Sequence, residues 1–259
     1  MELQLRGKRA LVTGSTAGIG FAIARALARE GAQVIVNGRT QERVDAAVRE
    51  IGGGARGIAA DLGTARGAAR LLAELPEVDV LVNNVGIFEA KPFTEIPDED
   101  WLRLFETNVL SGVRLSRGYL PGMVRAGWGR VIFISSESAL QIPAEMIHYG
   151  VTKTAQLALS RGLAETVAGT GVTVNVVLPG PTRSEGVGAF VEGLARSKGV
   201  SAEQVEREFF RDLRPTSLLK RFESPEEIAP LVVFLASPLA SAITGSALRA
   251  DGGVVRSIA

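Results

Sequence analysis

Short runs of consecutive apolar residues alternate along this chain with longer segments of helical periodicity, and this alternation restricts its fold more than any other feature. The runs lie at residues 9–13, 33–37, 57–60, 79–83, 130–136, 172–178 and 246–250. Most are apolar at every position rather than at every second one, which is typical of strands covered by helices on both faces. The sequence therefore predicts an α/β fold with a doubly wound parallel sheet and right-handed crossovers.

Helix-end signals support this interpretation. Residues 21–29 carry apolar side chains at helical spacing, and Gly31 follows as a C-terminal cap. Ser224 precedes a proline and is followed three residues later by Glu227, which predicts a capping box.

Residues 183–222 interrupt the alternation. They contain no clear strand but two amphipathic segments, at 187–196 and 202–213. In a compact α/β domain an insertion of this length is typical of a lid. We expect a single Rossmann-type domain over residues 1–259, with a substrate lid at 183–222.

Composition excludes several classes of function. The 259 residues include no cysteine and one histidine, His148, so thiol catalysis, disulfide scaffolds and zinc–thiolate sites are excluded and no metal is expected. With 29 basic and 28 acidic residues, no nucleic-acid partner is expected.

The N-terminus lacks the apolar core of a signal peptide, and residues 231–248 are interrupted by Pro238 and Gly245. We therefore expect a cytoplasmic protein without a membrane partner.

A glycine-rich loop, Thr13-Gly14-Ser15-Thr16-Ala17-Gly18-Ile19-Gly20, follows the first apolar run. Glycines at such a turn let the backbone approach a pyrophosphate at a helix N-terminus, whose N–H groups bind the anion. An ordinary tight turn between strand and helix also uses glycine. The position after the first strand favours dinucleotide binding.

The end of the second run indicates which dinucleotide is preferred. NAD-binding folds usually place an acidic residue there, whereas this chain has Asn37-Gly38-Arg39. A guanidinium pairs with a 2′-phosphate that a carboxylate would repel, so NADP(H) is favoured and NAD(H) stays possible. Arg39 could also be a solvated loop residue. Asp61, after the third run, is a candidate acceptor for the adenine amino group or an ordinary residue before a helix.

Tyr149 and Lys153 lie four residues apart at the start of a helical segment, so both side chains project from one face. A neighbouring ammonium favours the phenolate and brings the phenol towards usable acid–base strength. Ser136, at the end of an apolar run, could reach the same ligand, although a serine there often only completes a turn.

The chain resembles the short-chain dehydrogenase/reductases of about 250 residues over essentially its whole length. The motifs that carry the resemblance are Thr13-Gly14-X-X-X-Gly18-Ile19-Gly20, Asn83-Asn84-Val85-Gly86, Asn108, Ser136, Tyr149-X-X-X-Lys153 and Asn175-X-X-X-Pro179-Gly180. Val85 departs from the alanine usual in that family, and we expect only local repacking. The resemblance implies a seven-stranded parallel sheet with helices on both faces and a homotetramer or homodimer.

The resemblance also implies roles for individual residues. Tyr149 would be the general acid or base, Lys153 its pKa modulator and a ligand of the nicotinamide ribose, Ser136 the group that polarises the carbonyl, and Asn108 the holder of a relay water. Tyr149 is also an implied cofactor contact, and the remaining ones are Gly14, Ser15, Thr16, Gly18, Ile19, Gly20, Arg39, Asp61, Leu62, Asn84, Gly86, Pro179, Gly180, Thr182 and Ser184.

The sequence therefore predicts an NAD(P)-dependent oxidoreductase that transfers hydride between a nicotinamide and a carbonyl or secondary alcohol. A catalytically silent dinucleotide-binding sensor or scaffold is the alternative, and a Ser136–His148 hydrolase is a weaker one because no nucleophile elbow is present. Residues 88–93, 137–147 and the segment from Arg183 are expected to wall the pocket; the substrate itself is not specified.

Overall fold

A computed structural model describes residues 2–258, without the side chains of residues 189 and 190; the first and last residues of the expected 1–259 domain lie outside it. The strands are β1 Arg9–Val12, β2 Gln33–Gly38, β3 Arg56–Ala59, β4 Val80–Asn83, β5 Gly129–Ile134, β6 Val172–Pro179 and β7 Ala247–Ala250. The helices are α1 Gly18–Arg29, α2 Gln41–Ile51, α3 Ala65–Glu74, α4 Asp98–Phe105, α5 Ser111–Ala126, α6 Ile147–Thr166, α7 Glu185–Lys198, α8 Ala202–Glu208 and α9 Pro225–Ala236.

The seven strands form one parallel sheet in the order β3-β2-β1-β4-β5-β6-β7, which confirms the predicted fold class. Each predicted run overlaps one strand. The largest difference is at β5, which ends at Ile134, so Ser136 lies two residues beyond the strand and begins a 3₁₀ turn. The order of strands reverses between β1 and β4, and such a reversal opens a crevice at the carboxyl ends of the two strands.

Successive strand residues pack against opposite faces of the sheet. Val80 and Val82 contribute to the core that includes α1 and α9, whereas Leu81 between them contributes to the core that includes α3 and α5. Because both faces are covered, every residue of β4 is buried. This explains why the strands appear in the sequence as continuous apolar runs.

The predicted helix ends are also present. Gly31 has φ +83°, the left-handed conformation of a glycine after a helix C-terminus. At the N-terminus of α9, the Glu227 carboxylate accepts the Ser224 backbone N–H at 2.8 Å, as expected for a capping box.

Between α4 and α5 the chain continues as a single π-helical turn, Glu106–Leu110. The backbone stays helical on both sides, so α4, this turn and α5 form one continuous helix. Extra residues of this kind inside helices are frequent at functional sites, and Asn108 lies within this turn.

The 183–222 segment leaves the sheet after β6 and returns to a point close to where it left. Its ends are joined by the backbone hydrogen bonds Arg183 N–H to Glu223 O and Glu223 N–H to Pro181 O. Its buried residues form a small cluster separate from the two main cores, composed of Val191, Ala195, Val205, Phe210 and Phe222. Among residues 2–258, no helix has the length and apolarity needed to cross a membrane.

We predict that amides of the 183–222 segment exchange with solvent faster than those of the central strands, because a small separate cluster opens at lower free-energy cost than the main cores. Hydrogen exchange of the ligand-free protein measures this difference. The adjoining helix α9 is a matched control, since its buried face belongs to a main core and its amides should exchange slowly. Exchange in the segment as slow as in β4 and β5 would contradict the prediction.

Candidate active site

A cavity of about 500 Å³ lies at the carboxyl ends of the central strands. Its floor is formed by residues that follow β4, β5 and β6, and its outer wall by the 183–222 segment. Side chains that line it include Ile19, Asn84, Ile87, Phe88, Glu89, Ser136, Glu137, Glu145, Met146, Tyr149, Lys153, Thr182, Val187, Phe209, Leu213, Arg214 and Phe222.

The glycine loop after β1 has the conformation that the sequence predicts. Gly14 and Gly18 have φ values of +59° and +57°, which residues with a Cβ rarely adopt. A Cβ on Gly20 would lie 2.4 Å from the Asn84 side-chain nitrogen and 2.5 Å from the Gly14 carbonyl oxygen. Asn84 uses that nitrogen to donate to the carbonyls of Thr13 and Gly14, at 2.9 and 3.0 Å. Asn84 thus connects the loop after β4 to the glycine loop.

The N-terminus of α1 fits the pyrophosphate of a dinucleotide. Its capping position is Ala17, which has no side-chain acceptor, and the first turn carries no acidic residue. The first N–H groups of the helix therefore have no side-chain cap within the described structure, which leaves them available to an anion. Ser15 contributes only its backbone there, because its buried hydroxyl donates to the Val12 carbonyl at 2.6 Å. Thr16 and Ile19 are partly exposed.

At the adenosine end, Arg39 directly follows β2 and is exposed. No hydrogen bond or ion pair of Arg39 occurs among residues 2–258, so its guanidinium is available to an anionic ligand. Asp61 is also exposed, and its carboxylate accepts the Gly63 N–H at 3.1 Å just before α3. The Leu62 side chain belongs to a main core, so only its backbone could contact adenine.

Four predicted catalytic residues meet on the other side of the cleft. Ser136 follows β5, Tyr149 and Lys153 lie on the first turns of α6, and Asn108 lies in the π-helical turn. The Ser135 hydroxyl donates to the Lys153 carbonyl at 2.9 Å, which fixes α6 against the end of β5. The Phe88 ring packs edge-on against Tyr149, with centroids 6.2 Å apart.

Asn108 connects several elements of this region through hydrogen bonds. Its side chain donates to Ile87 O at 2.9 Å and to the Thr152 hydroxyl at 3.0 Å, and it accepts the Ile87 N–H at 2.8 Å. Its backbone carbonyl accepts from the Gln156 side chain at 2.6 Å. The same Gln156 approaches the Lys153 ammonium at 3.4 Å. Asn108 and Lys153 are therefore linked through one amide side chain.

Lys153 is buried and donates to the Ile134 carbonyl at 3.0 Å. Burial lowers the pKa of Lys153 to about 8, although the Glu137 carboxylate opposes this shift. The ammonium lies 5.6 Å from the centroid of the Tyr149 ring.

The influence of Lys153 on the pKa of Tyr149 stays a prediction, and other groups shift that pKa in the chain by itself. The pKa of Tyr149 is raised above its ordinary value, first because burial disfavours the phenolate and second because the Glu137 carboxylate repels it. The neighbouring Ser136 hydroxyl and the Arg214 guanidinium act in the opposite direction.

The Ser136 hydroxyl donates its only proton to the Glu137 carboxylate in a short hydrogen bond, and it accepts the Ser138 N–H at 3.1 Å. To donate to a substrate oxygen, it has to release the carboxylate. The sequence places Glu137 on the pocket wall but contains no signal for this contact, because it depends on the turn that follows β5.

Arg214 is the residue that sequence reasoning missed. It belongs to the 183–222 segment, is buried, and donates from Nε to Glu137 at 3.0 Å and from Nη1 to Glu145 at 2.9 Å. No local pattern distinguishes it from the other basic residues of the segment, since its partners lie 77 and 69 positions away. Of the other expected wall residues, Met146 lines the cavity, whereas Ile142, Ile147 and Arg183 do not.

The far end of the cleft is formed by the loop after β6. A Cβ on Gly180 would lie 2.7 Å from the Asp251 carbonyl oxygen, so this position requires glycine. Pro179 ends β6, the Thr182 hydroxyl donates to the Gly180 carbonyl at 2.9 Å, and Ser184 accepts the Val187 N–H at the start of α7. These residues, with Gly86 beside Lys153, border the space between the glycine loop and Tyr149.

His148 does not form a catalytic pair with Ser136. Its side chain is fully buried and packs edge-on against Trp101, with centroids 5.9 Å apart, and neither ring nitrogen has a hydrogen-bond partner among the described residues. The Ser136 proton is directed to Glu137 instead. The geometry therefore gives no support to the hydrolase interpretation.

Comparisons with known proteins agree with this site. The family model described as short chain dehydrogenase matches residues 8–194. Oxidoreductase YvaG of Bacillus subtilis (strain 168) is 52% identical over the full length of both chains. D-beta-hydroxybutyrate dehydrogenase of Cupriavidus necator is 36% identical over 97% of this chain and 99% of its own. L-sorbose reductase from Gluconobacter frateurii, solved with NADPH and L-sorbose, is 33% identical over 100% of both chains, with a TM-score of 0.93.

These relatives, together with the site, give no support to a catalytically silent protein. Both Tyr149 and Lys153 are present and border the cavity. The chain belongs to the short-chain dehydrogenase/reductase family and is an NAD(P)-dependent oxidoreductase that acts on carbonyl and alcohol groups.

Proposed function

We propose that the protein reduces a ketone with NADPH, with Tyr149 as the proton donor. The observation that carries the proposal is the convergence of Ser136, Tyr149 and Lys153 on one cavity that also opens onto the glycine loop. The neighbour that acts on L-sorbose and the relative named for hydroxybutyrate support a small ketone or secondary alcohol as the substrate class.

Tyr149 and Ser136 would act directly on the substrate oxygen, whereas Lys153 and Asn108 would act through neighbouring groups. When bound, the nicotinamide supplies the hydride for the carbonyl carbon. Tyr149 gives its phenolic proton to the oxygen, which becomes an alcohol, and solvent then restores the proton. Ser136 turns from Glu137 to donate a hydrogen bond to the same oxygen, which favours the developing negative charge. Oxidation of an alcohol would use the same groups in reverse.

The phenol of Tyr149 holds the proton that reduction needs, but its raised pKa makes it a weaker acid, so a neighbouring positive charge would have to assist the transfer. Lys153 is positioned to contact the nicotinamide ribose and to favour the phenolate that forms on proton transfer. Asn108 would hold a relay water with its backbone carbonyl. This carbonyl would then accept one hydrogen bond from the water and one from the Gln156 side chain.

The cofactor would lie across the carboxyl edge of the sheet. The pyrophosphate would face the N-terminus of α1, Arg39 would pair with the 2′-phosphate of NADPH, and Asp61 and the Leu62 backbone would border the adenine. Thr182 and Ser184 would face the carboxamide end. Support comes from the uncapped helix N-terminus and from the absence of an acidic residue after β2.

We also propose that the 183–222 segment is a substrate lid. Its two ends are joined at Glu223, and Val187, Phe209, Leu213 and Phe222 of this segment cover the cavity. Closure of such a segment excludes water from the reacting groups.

Assembly as a homotetramer or homodimer and a cytoplasmic location stay predictions. The exposed apolar side chains Leu102 and Phe105 on α4 and Val151 on α6 support association between copies. Size-exclusion chromatography with light scattering tests the assembly.

Replacing Tyr149 by Phe should lower turnover by at least about 10²-fold, the usual contribution of a general acid, while NADPH binding changes by no more than a few-fold. Steady-state rates and fluorescence titration with NADPH measure the two quantities. Tyr119→Phe is the matched control, because the only other tyrosine is buried away from the cavity, where it donates to Leu75 O. Turnover retained in Tyr149→Phe would overturn the assignment.

Replacing Arg39 by Ala should weaken NADPH binding by about tenfold, the effect of one lost charge-assisted hydrogen bond, and should leave NADH binding nearly unchanged. Paired titrations with the two cofactors measure the selectivity. Arg49→Ala, at the exposed far end of α2, removes the same charge and should leave both affinities as they are. Equal losses for both cofactors in Arg39→Ala would contradict the role of Arg39.

A further inference from the structure

Beyond Ser136, the cavity wall carries one buried guanidinium between two carboxylates. Arg214 donates to Glu137 at 3.0 Å and to Glu145 at 2.9 Å, and we call these three residues the acid–arginine group. Arg214 and Glu137 are almost inaccessible to solvent, whereas Glu145 keeps a third of its side chain exposed. All three line the cavity, whose other walls are largely apolar.

The acid–arginine group carries one more negative than positive charge. The remaining acidic residue on the cavity wall, Glu89, is already paired with Lys91 and Arg103. The remaining basic residue on the wall is Lys153, which is bound to the Ile134 carbonyl below Tyr149. The two carboxylates together carry more charge than the Arg214 guanidinium. A ligand that approaches Arg214 therefore meets a net negative charge. A carboxylate or phosphate at this point would be repelled.

The same group still has unused hydrogen-bonding capacity. Arg214 uses Nε and Nη1, and Glu145 uses Oε1, but no hydrogen bond within residues 2–258 involves Nη2 of Arg214 or Oε2 of Glu145. A donor and an acceptor thus remain on neighbouring side chains at the cavity wall. A hydroxyl group, which donates and accepts at once, complements such a pair, whereas a methyl group would leave both atoms without partners.

We propose that the acid–arginine group selects neutral ketones that carry a hydroxyl group and rejects those that carry a carboxylate. The inference rests on the proposed function, because it takes Ser136 and Tyr149 as the site of the reacting carbonyl. A single carboxylate, that of Glu137, separates Ser136 from Arg214. The recognised hydroxyl therefore lies only a few bonds from the carbonyl carbon.

Three ketones with one skeleton test the proposal: 4-hydroxy-2-butanone, 2-butanone and acetoacetate. They carry a terminal hydroxymethyl, methyl or carboxylate group at the same position. With wild-type enzyme and saturating NADPH, kcat/KM should fall in that order. We expect about a tenfold loss from the hydroxymethyl to the methyl compound, the scale of a hydrogen bond to a charged group, and a further loss to acetoacetate.

The variant Glu145→Gln tests the cause. It removes one negative charge and keeps the shape of a partly exposed side chain, so the fold should be retained. The value of kcat/KM for 4-hydroxy-2-butanone divided by that for acetoacetate should fall by about tenfold, because the repulsion of the acetoacetate carboxylate is lost. Glu95→Gln is the matched control: Glu95 is exposed, lies outside the cavity, and its replacement changes the net charge equally. This control should keep the wild-type ratio.

Three results would overturn the inference. Acetoacetate reduced as well as 4-hydroxy-2-butanone by the wild type would exclude selection against charge, while ketone reduction itself would stand. An unchanged ratio in Glu145→Gln would show that the acid–arginine group does not cause the selection. If none of the three ketones is reduced by protein that binds NADPH, the inference and the proposed function fail together.

Discussion

The cleft lies between the carboxyl ends of β1 and β4, because the chain leaves these two neighbouring strands towards opposite faces of the sheet. After β1 the chain turns into α1 on one face, and after β4 it leads to the helix that carries Asn108 on the other. Their carboxyl ends are left without a covering crossover, which leaves space there for a ligand. The Asn84 side chain, hydrogen-bonded to the Thr13 and Gly14 carbonyls, holds the two loops at a fixed separation. The cofactor site and the catalytic site both depend on this junction.

The Ser136 hydroxyl is engaged by a neighbouring carboxylate. Glu137 takes the Ser136 proton, and its charge also raises the pKa of Tyr149. Arg214 occupies the other oxygen of Glu137 and lowers the pKa of Tyr149. One residue of the 183–222 segment therefore moderates both effects of Glu137 on the reacting groups. Buried charges, and not only apolar contacts, therefore connect the 183–222 segment to the turn that follows β5.

How much could be predicted from the sequence differs between parts of the site. The seven strands, the glycine loop and the Tyr149–Lys153 pair were all predicted, because each depends on residues close together in the chain. Ser136 was correctly associated with the end of β5, but its engagement with Glu137 was not foreseen. The influence of Lys153 on Tyr149 stays a prediction, because spacing along a helix places two side chains on one face without fixing where the ammonium points.

Ser15 and Leu62 show the same limit. The motif predicts a contact with the cofactor, whereas burial in the folded chain leaves only their backbone for that purpose.

The sequence by itself determined the fold class and the position of the glycine loop, and it predicted the acid–base residues. These follow from apolar periodicity, from glycine at positions of positive φ, and from short spacings that secondary structure converts into geometry. Only the tertiary structure decided the chemistry beyond Ser136. Arg214 meets Glu137 and Glu145 across more than 60 intervening residues, and burial gives their charges a strength that exposed side chains would not have.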